Sequence, residues 1–102
     1  MSSPAVTYLL CRNRVSSFPR WKRVFDSHAS AHRAAGLRLA EFWRGEKNRN
    51  EVFFLFEVKS MRRAKAFIAA PNAARAAARS GVIEGEYHFV RDAALAGYGG
   101  RR

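Results

Sequence analysis

Strand, helix, strand, tight polar turn, strand, helix, strand: this order of periodic segments fills about 90 of the 102 residues and leaves few ways to fold. A helix joining two strands crosses one face of their sheet, and the polar turn joins the middle strands as a hairpin. Four strands then form one antiparallel sheet with both helices on the same side. The other side is bare, and it is also rich in apolar residues. A sheet of that kind needs a partner surface.

The first strand is read over Ala5 to Arg12, where Val6, Tyr8 and Leu10 alternate with Ala5, Thr7, Leu9 and Cys11. Ser17 is placed as N-cap of the first helix, with Pro19 in its first turn. Phe18, Trp21, Phe25, His28, Ala29 and His32 share one stripe of that helix, and Gly36 ends it. The second strand spans Leu37 to Arg44, setting Leu37, Leu39, Glu41 and Trp43 on one face and Arg38, Ala40, Phe42 and Arg44 on the other. Gly45 to Asn50 is a hairpin loop, and Glu51 to Val58, apolar on both faces, is a central third strand. Ser60 caps the second helix, which Pro71 interrupts and Ser80-Gly81 closes. Val82 to Val90 is the fourth strand, with Gly85 marking a bulge or a close approach of backbone. The result is an α+β chain of ferredoxin-like βαββαβ order: one domain over residues 1–91, followed by a flexible, basic, glycine-rich tail over 92–102.

No apolar run reaches the roughly 20 residues that span a bilayer, and Met1 leads directly into the first strand, so a cytoplasmic location without membrane contact is expected. Cys11 is the single cysteine, which excludes an intrachain disulfide and a cysteine-based zinc cluster. The net charge of +11 points to polyanions. Against that, Arg outnumbers Lys 15 to 4 beside abundant Ala, as GC-rich coding produces, and the basic residues are scattered along the sequence. A nucleic-acid footprint concentrates on one face. Nucleic-acid binding is therefore expected to be weak and without sequence specificity.

The segment FPRWKRVFDSHASAHRAAGLRLAEFWRG, then NEVFFLFEV, then Ala64, Phe67 and Ala70-Pro71 leading to Ser80-Gly81-Val82, resembles small proteins of the dimeric α+β barrel superfamily, relatives of the antibiotic-biosynthesis-monooxygenase-like domains. Trp21, Phe25-Asp26-Ser27-His28, Gly36 and Asn50-Glu51-Val52 are the most specific parts of the likeness. The resemblance implies a homodimer that closes an eight-stranded barrel by joining the bare sheet faces. It also implies a cavity between sheet and helices in which catalytic relatives oxidise or rearrange small aromatic or polyketide molecules, often without metal or flavin. Other relatives serve as structural or stress-related dimers. The subgroup is expected to carry a basic residue at or beside the position of His32, where Arg33 follows here. The Asn, Trp and His arrangement of haem-degrading members has no match in the sequence.

His28 and His32 lie one turn apart on the sheet-facing stripe. Such a pair supplies two metal ligands, and Glu41, Glu84 or Glu86 would have to turn inward to complete a site. No metal and no cofactor is expected. The plain reading packs one histidine at the helix edge, hydrogen-bonded to a strand carboxylate or a backbone group; the chemical reading makes His28 an acid, base or ligand-orienting group, since imidazole titrates near neutrality. Tyr8, Trp21, His32, Trp43 and Phe56 are then the ligand-binding residues around a small apolar or aromatic molecule, with a cofactor-independent monooxygenase or an isomerase or cyclase as the implied activity. Asp26-Ser27-His28 has the residue types of a hydrolytic triad, but neighbours on a helix diverge by about 100° and cannot form one.

An RNA-recognition module shares the βαββαβ order, and it is the alternative from another class. Its third strand carries glycines, a basic residue and exposed aromatics for base stacking. EVFFLFEV has neither the glycines nor the basic residue, and suits a dry interface better.

Overall fold

The computed structural model describes residues 6–93 and has the ferredoxin-like architecture: a four-stranded antiparallel sheet with every helix on one side. Strands β1 (Thr7–Val15), β2 (Leu37–Arg44), β3 (Glu51–Val58) and β4 (Val82–Arg91) stand in the order β2-β3-β1-β4. The assembly is only 18 Å thick against extents of 44 and 34 Å, a single helical layer on a sheet. The N-terminal residue of the expected first strand and most of the expected tail lie outside the described residues.

Local chemistry places the helices. α1 (Phe18–Ser27) starts where the Ser17 hydroxyl accepts from the Arg20 N–H, and α3 (Met61–Ala69) where Ser60 accepts from Arg63. The expected single first helix is in fact two, α1 and α2 (Ala29–Ala34), with the break at His28. The Val24 carbonyl would ordinarily accept the His28 N–H. It is taken instead by the Ser27 hydroxyl at 2.6 Å and by His28 Nδ1 at 2.8 Å, and the His28 N–H turns to the Phe25 carbonyl. The second break is the one read from the sequence: Ala70, extended ahead of Pro71, separates α3 from α4 (Pro71–Ser80). Gly36 and Gly81 take positive φ at the helix ends.

Strand parity sorts the two faces. Leu9, Cys11, Asn13 and Val15 of β1 and Val52, Phe54 and Phe56 of β3 are buried under the helices, against Trp21, Leu37 and Ala64. β1 runs three residues beyond the expected Arg12, which brings Asn13 and Val15 into the core. β2 departs from simple alternation. Leu39 pairs with Phe56 and Glu41 with Leu55, so Ala40 is an extra, bulged residue. Beyond it the faces exchange: Phe42 opposes Phe54 and stacks on Trp21, while Trp43 opposes Phe53 on the open face. β4 bulges at Ile83 rather than Gly85, between the Arg14–Glu84 and Val15–Val82 pairs.

Candidate functional site

A cavity of about 270 Å³ lies between the sheet and the helical layer. Leu9, Cys11, Phe54 and Leu37 form its floor, Trp21, Val24 and Phe25 of α1 one wall, and Phe67 with the alanines of α4 another. Alanine at 73, 74, 76 and 77 is what leaves the space open, since larger side chains there would reach the sheet. His28, His32, Asn13, Ser80 and Tyr87 contribute the polar groups, and among the described residues no Asp, Glu, Lys or Arg lines the cavity. Arg33 is exposed, so the guanidinium expected beside His32 points away.

His32 is held among three rings, with centroids 5.0 Å from Phe25, 5.1 Å from Phe56 and 5.6 Å from Phe67. Burial, and then the neighbouring His28, pull its pKa down to about 4, so it is neutral at physiological pH. His28 is only partly buried, its ring 6.4 Å from that of His32. Its Nδ1 bond to the Val24 carbonyl fixes the proton on that nitrogen in the neutral ring. Nε2 therefore keeps its lone pair. A second hollow beside the cavity shares His28, Phe67 and Ala73 with it, which sets His28 between the two.

The opposite, polar end is built on Asn13. Its neighbours dictate which way the amide faces: with Oδ1 turned to the buried indole Nε1 of Trp21, 3.2 Å away, the nitrogen donates to the Arg12 carbonyl and to Tyr87 Oη, both at 3.0 Å, whereas the opposite orientation has Tyr87 Oη donating to Oδ1 and leaves the indole without an acceptor. With Oη engaged as acceptor, the phenol keeps its own proton to donate. Gly85, opposite Asn13 in the sheet, makes room for this contact. A Cβ at 85 would stand 2.9 Å from Tyr87 Oη and 3.0 Å from the end of the Asn13 amide that meets it. Gly85 is thus a close approach, one of the two readings its position in the strand allowed. Burial raises the Tyr87 pKa, keeping the hydroxyl protonated, and desolvation pushes the Cys11 thiol up to about 12.

Of the residues named from the sequence, the structure brings His28, His32 and Trp21 to one cavity. Phe56 packs behind His32 without lining the space. Tyr8 and Trp43 are not brought to it: Tyr8 has the opposite parity to Leu9, the Ala40 bulge turns Trp43 outward, and both lie on the open face. Glu41, Glu84 and Glu86 share that open face, so none turns inward to join the histidines. Among the described residues no three His, Cys, Asp or Glu side chains converge, and no helix is long and apolar enough to cross a membrane. Asn13 and Tyr87 were not singled out by sequence. The available signal was an asparagine in phase with Leu9 and Cys11, visible only once β1 is extended past Arg12.

The architecture recurs in solved structures. A NIPSNAP-family protein of unknown function from Agrobacterium tumefaciens superposes with a TM-score of 0.64 at 15% identity, over 86% of this chain and 88% of that one. A candidate antibiotic biosynthesis monooxygenase from Bordetella bronchiseptica gives 0.70 at 8% identity, over 89% and 100%. Another, from Caulobacter crescentus, gives 0.67 at 13% identity, over 88% and 92%. The chain therefore has the fold that antibiotic-biosynthesis-monooxygenase-like and NIPSNAP proteins share. The sequence alone matches no family description and no curated protein.

Proposed function

We propose that this protein works as a homodimer that binds a small, uncharged, planar aromatic molecule in the cavity between sheet and helices and moves a proton on it. The observation that carries this reading is an apolar, ring-lined space with two differently equipped ends: an imidazole held at Nδ1 by a backbone carbonyl, and a phenol held to donate. A bound aromatic ketone or phenol would give up a proton to His28 Nε2, and the charge left on its oxygen would accept a hydrogen bond from Tyr87 Oη. Enolisation of that kind is the step shared by cyclising, isomerising and cofactor-free oxygenating chemistry. The lining supplies no charged side chain for a charged ligand.

The dimer part rests on the open face. Leu10, 39% exposed, and Trp43, 47% exposed, lie there with Tyr8, Phe53, Leu55 and Val90. Ion pairs border this band, Arg12 with Glu51 at 2.5 Å and Arg38 with Glu57 at 3.1 Å. Apolar centre and polar border are the anatomy of an interface, and a second copy would cover the face on the order of 2,000 Å² in total.

Calorimetric titration with 1-naphthol and with a hydroxynaphthoquinone tests the binding reading. Binding that quenches Trp21 fluorescence, weakens at least tenfold in Tyr87→Phe and disappears when Ala77→Phe fills the cavity is expected. Affinity equal in wild type and Ala77→Phe would overturn it. Proton exchange at the ring carbon ortho to the hydroxyl, followed by NMR in deuterated water, should slow in His28→Ala.

A further inference from the structure

The fold gathers charge that the sequence scatters. In the four strands five arginines, Arg12, Arg14, Arg38, Arg44 and Arg91, meet five glutamates, Glu41, Glu51, Glu57, Glu84 and Glu86. The helices instead carry Arg20, Lys22, Arg23, Arg33, Arg62, Arg63, Lys65, Arg75 and Arg79 against Asp26 alone. All four helices form one layer, so what is dispersed along the chain is concentrated on one broad face. Of its nine cations, eight are exposed, and among the described residues Lys22 is the one with a carboxylate partner.

The placement of these cations runs against helix stability. Neither α1 nor α3 has an acidic residue in its first turn, where the dipole favours negative charge. Arg20 stands there in α1, and Arg62 and Arg63 in α3. Phosphate would be welcome at such ends.

We propose that the helical face binds the phosphate backbone of double-stranded nucleic acid without reading its sequence. Seven of the nine cations are arginine, whose planar fork matches phosphate oxygens. Single strands are held by bases stacked on exposed aromatics, and this layer offers none, because Phe18, Trp21, Phe25 and Phe67 pack inward. A lipid surface is disfavoured for a related reason: the aromatic stripes of the helices are spent on the sheet, and of the large hydrophobics on the helices, among the described residues, only Ile68, at 37%, is exposed. The proposal does not depend on a ligand in the cavity, and it is compatible with a sheet-to-sheet dimer, which leaves both helical layers outside.

Fluorescence anisotropy with a labelled random-sequence 30-base-pair duplex tests it. With about six phosphates contacted per protomer, affinity should fall about a thousandfold between 50 and 200 mM salt. The triple variant Arg62→Glu, Arg63→Glu, Arg75→Glu should lose binding and flatten the salt slope, with its melting temperature unchanged or raised. The charge-matched control Lys47→Glu, Arg49→Glu, Lys59→Glu, off the helical layer, should bind within a few-fold of wild type. Equal loss in both triples would show net charge rather than a face and overturn the proposal. So would the absence of salt-dependent duplex binding, or tighter binding to single strands or to phosphatidylserine vesicles than to the duplex.

Discussion

The indole nitrogen of Trp21 donates to the side-chain oxygen of Asn13 at 3.2 Å, joining the first helix to the strand that floors the cavity. Both residues are buried, so each depends on the other for a partner that water cannot supply. Asn13→Leu keeps the branched outline, in a somewhat larger side chain, and strands the indole N–H. It should cost about 1–3 kcal/mol in urea denaturation, while Asn13→Asp, which keeps the acceptor, should cost less if its carboxyl remains protonated.

Gly85→Ala separates stability from function. The inserted methyl meets the far end of the Tyr87 side chain, which can swing outward because Tyr87 is 45% exposed, and stands 3.0 Å from the buried Asn13 amide, which has to give by a few tenths of an ångström. The expected stability change is below about 1 kcal/mol. Aromatic-ligand affinity should nevertheless drop as far as in Tyr87→Phe, measured by the same titration.

The depressed pKa of His32 makes stability depend on pH. The unfolded chain takes up a proton near 6.5 and the folded chain only near 4, so between those values the unfolded state holds more protons. Stability should therefore be full above the unfolded value and decline as pH falls toward 4, at no more than about 1.4 kcal/mol per pH unit. His32→Phe should flatten that slope, as followed by urea midpoints at pH 7, 6, 5 and 4.5.

Cys11 is 1% exposed, and burial holds its thiol at about 12. Because the thiolate is the reactive form, a disulfide reagent should label the native protein at pH 8 no faster than the chain opens, and in full once guanidinium unfolds it. Rapid stoichiometric labelling of the native state would contradict this burial.

Leu55 sits on the open face among Leu10, Phe53 and Trp43. Leu55→Glu should shift sedimentation at micromolar concentration from dimer to monomer, with far-ultraviolet circular dichroism unchanged. A wild-type chain that sediments as a stable monomer would remove the interface.

Element order and type were legible because apolar spacing in Phe18, Trp21 and Phe25 or in Val52, Phe54 and Phe56 reports directly which face is dry. Three features were not. The end of α1 depends on which side chain reaches the Val24 carbonyl, a competition that periodicity does not encode. The extra residue in β2 leaves no mark in LRLAEFWR, since either register puts an aromatic inward. Charge layering was within reach, since the element order already placed both helices on one side, but it shows only when the cations are sorted by layer and not by their spread along the sequence. His28, His32 and Trp21, named from the sequence, line one space, while its polar end escaped because β1 was ended one residue before Asn13.

The bulge at Ala40 gives β2 two reading frames. Leu37 and Leu39 share the helix-side face in odd phase, and Phe42 and Arg44 take it over in even phase. The bulge, and not the identity of the residue in it, therefore decides which face each aromatic takes. Replacing Ala40 by another small residue would barely register. Deleting it would leave a regular strand with Phe42 still on the ring stack and Trp43 still on the open face. Straightening the strand with all its residues kept would instead present Trp43 to the ring stack and Phe42 to the open face, and so exchange the surfaces offered to a ligand and to a second copy in one step. Among descendants of such a chain, loss of the extra residue would pass in silence, while loss of the bulge alone would be a change of partner as much as a change of fold.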